Sequence, residues 1–420
     1  MNKKLDDFLT HLEHRRSVPI DLSLDRVLEF KKKLKLNPTF KIITIGGTNG
    51  KGTTCFYLNK LLTQSKLKIG LYTSPHIFRF NERIRVDDNE VESERLLKVL
   101  KFIDANDIKS ELTFFEITTL AAISIFLEEK IDIAILEVGM GGRLDAVNAF
   151  DADISAITSI GMDHTEYLGN SLKNIAYEKA GIIRAGKICF ISDEKSTTLL
   201  TPLFEKLNVT PQIYSKDYLI DQRGFIYENE NIHILFSLPS DVLKSQKIKF
   251  QNLATAIAIA VQTFKFYEIN ISKKINFKKL ISENYFGRLT MISKKPEIFI
   301  DVSHNEDSIK NLKYFLDSLP SKKTFFVFSL LKDKDLRAIM KIFKGSNSYW
   351  CLSELRNNRK FDLLELESAI SSNGLNHFSS HQSCLDSFNY AQDKAEKNDR
   401  IVVFGSFYLI NECLKGFSHA

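Results

Sequence analysis

Proline and glycine are scarce in this chain, 8 and 18 among 420 residues, which excludes collagen-like and low-complexity architectures. Cysteine is sparse too. The five thiols (55, 189, 351, 384 and 413) are odd in number and form no CxxC pair. They predict neither a disulfide framework nor a zinc site, but reduced, mostly buried thiols in a cytoplasmic protein. No apolar run approaches the ~20 residues needed to cross a bilayer. The charged start MNKKLDDFLT lacks the apolar core of a signal peptide. A strong charge imbalance is also missing: the net charge is +6 and no basic block concentrates it. A mild positive field favours anionic small molecules, with no argument for nucleic acid or a membrane as partner.

What is present is an ordinary globular balance, 44% hydrophobic and 26% charged, in a chain long enough for two or three domains. Runs rich in Ile, Val and Phe at 41–45, 131–138, 154–160, 187–192, 298–302, 324–330 and 400–405 read as strands buried on both faces. Between them lie helix candidates at 53–65, 93–105, 115–129, 171–181 and 252–265, with Ser93 placed to cap the second. This alternation predicts an α/β fold: a P-loop-type, mostly parallel sheet domain over 1–287, then a smaller Rossmann-like α/β domain over 296–420. The polar stretch 193–250 predicts antiparallel strands or an insertion instead of another βα unit.

The most informative stretch is KIITIGGTNGKGTT (41–54), an apolar strand running into a glycine-rich turn and then a helix. Glycines let backbone N–H groups wrap an anion, the helix N-terminus adds partial positive charge, and Lys51 can reach terminal phosphates. Strict P-loop spacing would need glycine at Ile45 and a hydroxyl at Gly52, so a generic pattern misses this loop. The strand 131–138 ends in Glu137, where an acid can hold Mg²⁺ beside the phosphates. On the residues alone, Lys179 reads as a solvated helical lysine. His164 likewise reads as an ordinary turn histidine, since hard cations prefer oxygen.

GTNGKGTT resembles the loop of the Mur-ligase-like ATP-dependent amide ligases. TSPH with NERI (73–84) narrows the resemblance to the folylpolyglutamate synthase/dihydrofolate synthase family. LEVGMGGRLDAVNAFDADISAITSIGMDHTEYLG (136–169), NIAYEKAGIIR (174–184), FGRL (286–289), DVSHN (301–305), DKD (333–335) and GSF (405–407) follow in family order, so the likeness spans nearly the whole chain. Two departures stand out: Glu306 and Asp307 replace the family's Pro-His, and Phe286 replaces a proline.

The resemblance implies ATP held by Asn49, Gly50, Lys51, Gly52, Thr53, Asn252, Arg288 and Asp301. It implies Mg²⁺ at two sites, with Ser74, Glu137 and His164 as ligands, and a carbamylated Lys179 near the transferred phosphate. Lys51, Lys179 and His164 then carry the catalysis. Two further segments resemble those that hold the pterin in the bacterial bifunctional branch: Ile20, Asp21 and Leu22, and Thr113, Phe114, Phe115 and Glu116, with Leu144 beside them. The implied acids are 7,8-dihydropteroate and folates, the implied amine is L-glutamate, and the family is usually monomeric. A carboxylate is a poor electrophile, so phosphorylation to an acyl phosphate before amine attack is the expected course. A monofunctional folylpolyglutamate synthase, a UDP-linked Mur-type ligase and a non-ligating ATPase module are the alternatives. Thr73–Ile84 and the lack of an obvious UDP-binding domain before residue 40 weigh against the UDP-linked ligase.

Overall fold

The computed structural model describes residues 3–16, 21–109, 111–229, 232–243, 249–270, 276–277, 280 and 285–415. The chain divides into two units, one of residues 1–161 and 168–282, the other of 162–167 and 283–420.

In the first unit, strands β1 (Lys41–Gly46), β2 (Ile69–Tyr72), β3 (Ile84–Val86), β4 (Asn89–Glu90), β5 (Ile133–Glu137), β6 (Ile154–Ile157), β7 (Ile188–Ile191) and β8 (Gln212–Ile213) form one sheet. Its order is β4-β3-β2-β5-β1-β6-β7-β8. Only the β2–β3 and β3–β4 pairings are antiparallel; the rest of the ladder is parallel. Because side chains alternate along a strand, β1 feeds two cores. Ile43 and Ile45 pack with Leu58, Leu61 and the helix Phe250–Phe266, while Ile42 packs with Leu136, Ile117 and Phe126 on the opposite face. β1 sits between β5 and β6, where the chain's winding reverses, so its carboxyl end opens at the crevice where α/β sheets take ligands.

The seven expected strands and five expected helices are present within a few residues of their expected ends. Two local readings are corrected. Ser93 does not cap its helix: it is the first helical residue behind Glu92, and its hydroxyl accepts from Asn81 Nδ2 (3.2 Å). Residues 193–250 are not simply an antiparallel insertion. Glu194–Leu207 is a helix capped by Asp193, with Ser196, Leu200 and Phe204 buried at four-residue spacing, and β8 then extends the parallel sheet. Among the described residues of this stretch, β9 (Tyr218–Asp221), β10 (Gly224–Asn229) and β11 (Ile232–Phe236) form an antiparallel sheet.

The second unit holds β12 (Thr290–Lys294), β13 (Glu297–Asp301), β14 (Thr324–Phe328), β15 (Tyr349–Ser353), β16 (Phe378–His381) and β17 (Arg400–Phe404), in the order β12-β13-β17-β14-β15-β16. All neighbours are parallel except the antiparallel edge strand β12. Phe326, Phe328, Phe343, Trp350 and Phe404 build one aromatic core through mostly edge-to-face contacts. The substitution of Glu306 and Asp307 for Pro-His is absorbed there without strain. Asn305 caps the helix Glu306–Asp317 by accepting from Ser308 N (3.0 Å), and both acids fall in its first turn, where the helix dipole favours negative charge.

Candidate active site

After β1 the chain turns at Gly47 (φ 139°) and Gly50 (φ 94°) into the helix Lys51–Leu62. Neither position admits a side chain. A Cβ on Gly47 would lie 2.0 Å from Thr158 Oγ1, and one on Gly50 2.6 Å from Asn252 Oδ1, at backbone angles that side chains avoid. Asn252, from the first turn of the helix Phe250–Phe266, therefore lies against the loop. Neutral groups from 158–161 brace it. Thr158 Oγ1 donates to Asn49 O (2.8 Å) and Gly46 O (3.1 Å), and Asn49 N donates to Ser159 Oγ (3.0 Å). Thr48 N donates to Ser159 O (2.7 Å), while Thr48 Oγ1 accepts from Gly161 N (3.0 Å).

Two ammonium groups converge on this turn. Lys51 Nζ donates to Gly47 O (3.0 Å) and Thr48 O (3.3 Å), and Lys179 Nζ donates to the same Gly47 O (3.0 Å). Lys179, read from sequence alone as solvated, is only 3% exposed. Its helix, Leu172–Ala180, is pressed onto the glycine turn 139–142: a Cβ on Gly142 would meet Lys179 O at 2.7 Å. Together with the helix N-terminus, the two lysines make a cradle suited to a phosphate chain. Gly52 and Thr53 lie in the first turn of the same helix, buried and half-buried respectively.

Glu137 ends β5 opposite Ile45 of β1, is 4% exposed, and accepts from Ser74 N (3.1 Å). Among the described residues no three His, Cys, Asp or Glu side chains cluster as a self-sufficient metal site. One buried carboxylate that meets the Ser74 peptide N–H, on the strand next to the one that leads into the phosphate cradle, instead fits Mg²⁺, which binds through one or two carboxylates and completes its shell with phosphate oxygens and water. His164 belongs to the other unit.

The segments expected to take the pterin also come together, except Ile20, which lies outside the described residues. Thr113 caps the helix Phe114–Glu128 in a capping box with Glu116. Glu116 Oε2 accepts from Thr113 N (2.6 Å), and its carboxylate accepts from Arg26 Nη2 (3.0 Å) and Nε (3.2 Å). Arg26 also donates to Asp21 Oδ2 and Asp21 O (2.8 Å each), and Leu22 follows half-buried. Phe115 stacks on Tyr72 (5.8 Å) and closes over Gly139, where a Cβ would meet its ring at 2.6 Å. Phe114 instead meets Phe80 edge-on (6.0 Å), lies under the Arg83 guanidinium (5.5 Å) and lines a cavity of about 270 Å³ with His76, Phe80 and Asn81. His76 Nδ1 accepts from Arg83 Nε (2.9 Å); burial and that neighbouring charge press its pKa down to about 3, leaving a neutral ring. Leu144 is half-buried in the 139–147 turn beside Asp145, which accepts from Met140 N (2.8 Å) and Val147 N (3.0 Å). Burial lifts the Asp145 carboxyl to about 6, against the opposing pull of those N–H donors and the Lys51 charge.

In the second unit Arg288 lies over Phe407 (5.4 Å) and Tyr285 (5.8 Å). Asp301, 4% exposed, ties two segments: Oδ2 accepts from Leu289 N (2.8 Å), before β12, and Oδ1 from Ser303 N (2.8 Å) in its own loop. Asp163 accepts from Lys334 Nζ (2.6 Å) and Asn305 Nδ2 (2.9 Å), with His304 Nε2 at 3.9 Å. Burial alone would raise the Asp163 pKa, but Lys334 and the two histidines hold it far below the usual carboxylate range. His164, at φ 51°, stands with Nδ1 4.0 Å from Asp333. Burial and Lys334 lower the His304 pKa to about 4.

Sequence reading missed Arg26, Thr158, Ser159, Asp145, Asp163 and Lys334. For Glu116 a signal was available, because Thr113-x-x-Glu116 is a capping-box pattern. Arg26, Thr158, Ser159, Asp163 and Lys334 work through partners far away in sequence, whereas Asp145 is held by peptide N–H groups of its own turn.

Comparison with known proteins identifies the family and the fold. Residues 45–246 match the Mur ligase middle domain, and 287–407 the Mur ligase glutamate ligase domain. The chain is 35% identical to the dihydrofolate synthase/folylpolyglutamate synthase of Haemophilus influenzae, over 97% of this chain and 96% of that protein. Its structure is similar to that of Escherichia coli FolC in complex with DHPP and ADP (TM-score 0.87, 28% identity, 98% of this chain and 97% of that one). It is equally similar to a Yersinia pestis bifunctional folylpolyglutamate synthase/dihydrofolate synthase complexed with AMPPNP and a Mn ion (TM-score 0.86, 30% identity, 98% of each chain).

Proposed function

This chain belongs to the dihydrofolate synthase/folylpolyglutamate synthase family of Mur-type ligases, and we propose that it joins L-glutamate to 7,8-dihydropteroate and to tetrahydrofolate polyglutamates at the expense of ATP. The observation that carries this reading is the pair of lysine ammoniums on Gly47 O beside a buried strand-end glutamate. When bound, ATP supplies the γ-phosphate that activates the acid as an acyl phosphate, and Mg²⁺ supplies charge neutralisation at that group.

The chain's own residues bind and orient. Asn49, Gly50, Gly52 and Thr53 offer the loop to the phosphates, and Lys51 and Lys179 hold negative charge there. Lys179 does so as an ammonium; carbamylated, as the family resemblance implies, it would be an anion that holds a metal ion instead, and a ¹³C-carbamate resonance lost in Lys179→Ala tests which of the two forms is present. Glu137, Ser74 and His164 are the metal ligands of this reading. Asn252, Arg288 and Asp301 complete the nucleotide contacts, Asp301 by fixing the backbone after Arg288 through Leu289 N. Phe114, with the backbone at Asp21–Leu22, Thr113–Glu116 and Leu144, holds the flat heterocycle, and Ile20 is assigned to the same site from the resemblance alone. The ATP-binding part is assigned to residues 1–287 and the glutamate-ligase part to 296–420.

We take the protein to be a cytoplasmic monomer acting on small molecules. All five cysteines are buried and free, as suits a reducing compartment, and no described helix is long and apolar enough to cross a membrane. Incubation with ATP, Mg²⁺ and glutamate, with either dihydropteroate or tetrahydrofolate as acceptor, tests the function. Glutamate-dependent ADP release with both acceptors is expected. Release with tetrahydrofolate alone reduces the activity to chain extension, and release indifferent to any acceptor overturns the ligase.

A further inference from the structure

Arginine presents five N–H groups in a rigid planar fork, and Arg26 has four of them on two chain segments. Nε and Nη2 donate to the Glu116 carboxylate (3.2 and 3.0 Å), Nη2 also donates to Asp21 O (2.8 Å), and Nη1 donates to Asp21 Oδ2 (2.8 Å). Arg26 and Glu116 are 90 residues apart in sequence. A second guanidinium repeats the tie: Arg16 donates to Asp21 Oδ2 (3.1 Å) and to Glu111 O (2.7 Å). Glu116 is 3% exposed, and a buried carboxylate must keep its partners or lose its place. With Thr113 N on one oxygen and Arg26 across both, the carboxylate fixes the helix start that carries Phe114.

We infer that Arg26 is the positioning residue for recognition of the acid substrate, locking the Asp21–Leu22 segment and the Thr113–Glu116 helix start into one rigid frame around the heterocycle. This rests on the assignment of those two segments to the pterin. Four of its five N–H groups are engaged within the protein, so the role inferred for Arg26 is to hold the two loops. Small displacements of positioning groups cost orders of magnitude in productive binding, so the frame governs the Michaelis constant for the acid and leaves the phosphate loop alone. Lysine cannot replace it, because one ammonium at the end of a flexible stem cannot span both segments as a planar fork does.

Steady-state kinetics of Arg26→Gln and Arg26→Lys test this, with dihydropteroate, ATP and glutamate varied separately. For Arg26→Gln the KM for dihydropteroate is expected to rise about tenfold or more, with KM for ATP within about twofold of wild type. Arg26→Lys, which keeps the charge but loses the fork, should show the same split at about threefold or more. A rise in all three KM values together, or an unchanged dihydropteroate KM in either soluble variant, overturns the inference. If Arg26→Gln does not fold, Arg26→Lys decides alone by the same criterion. A wild-type protein that incorporates no glutamate into dihydropteroate overturns the functional reading and this inference with it, whereas an active wild type with indifferent variants overturns only the inference.

Discussion

Around the phosphate loop the braces from 158–161 are hydroxyl and peptide groups, whereas the 21–22 and 111–116 stretches are tied by guanidinium–carboxylate and guanidinium–carbonyl bonds. Charge is useful in one place and disruptive in the other. A carboxylate bracing the loop would offset Lys51 and Lys179 and repel a triphosphate, so the turn is held by neutral groups and by the two ammoniums themselves. A flat heterocycle makes no such demand. Its loops can be fixed by stronger, directional charged forks.

The largest test removes the loop's charge. Lys51→Ala should lower turnover about 10³-fold, as loss of an electrostatic group at a reacting phosphate does. Its melting temperature should stay within ~2 °C of wild type, because the side chain contributes little packing; near-normal ADP release would end the contrast drawn above. Next comes Asp145, a carboxylate held by peptide N–H groups in a buried turn and so a hybrid of the two designs. Its folded pKa of about 6 lies above the ~3.9 of an unfolded chain, so the folded protein binds the extra proton between those values. Its contribution to stability therefore falls as pH rises from about 4 to about 6 and levels off above. Between pH 4 and 7, wild type should lose up to about 3 kcal/mol more unfolding free energy than Asp145→Asn; parallel urea-unfolding profiles would remove Asp145 from the comparison.

Glu116→Ala leaves Thr113 N without its acceptor and Arg26 with Asp21 alone, and should cost about 3 kcal/mol, the low end for a broken buried pair. It should also impair dihydropteroate use more than polyglutamate extension; equal losses would mean that the charged frame is not specific to the pterin. Thr158→Val is the mildest probe. Loss of its donor to Asn49 O and Gly46 O should cost about 1 kcal/mol and raise KM for ATP a fewfold, with KM for dihydropteroate unchanged. A shift confined to dihydropteroate would blur the two regions into one.

The parallel strands were legible because continuous Ile/Val/Phe runs have few other uses in a soluble chain, and the loop was legible because strand, glycines, lysine and helix occur in order. The helix Glu194–Leu207 was hidden by its polarity: it buries only one stripe, and an overall impression of polar sequence averages that stripe away. Lys179 shows the limit at the site. Nothing in AYEKAG tells a solvated lysine from a buried one, because its burial is decided by Gly142 on another segment, whose missing side chain lets the helix settle onto it. Arg26 escaped for the same reason, since its partners at 21 and 116 meet only once the chain has folded.

Residues 162–167 lie within the first half of the sequence yet belong with the second unit, and they carry Asp163, a counter-charge of Lys334. A protein engineer who severs the chain at residue 283 does not obtain two complete modules. The C-terminal fragment would inherit an ammonium built to be 6% exposed and lose the nearer of its two carboxylates, keeping only Asp333 at 3.2 Å. Supplying the short peptide separately, or grafting it onto the fragment's own end, is the way to make that half stand alone.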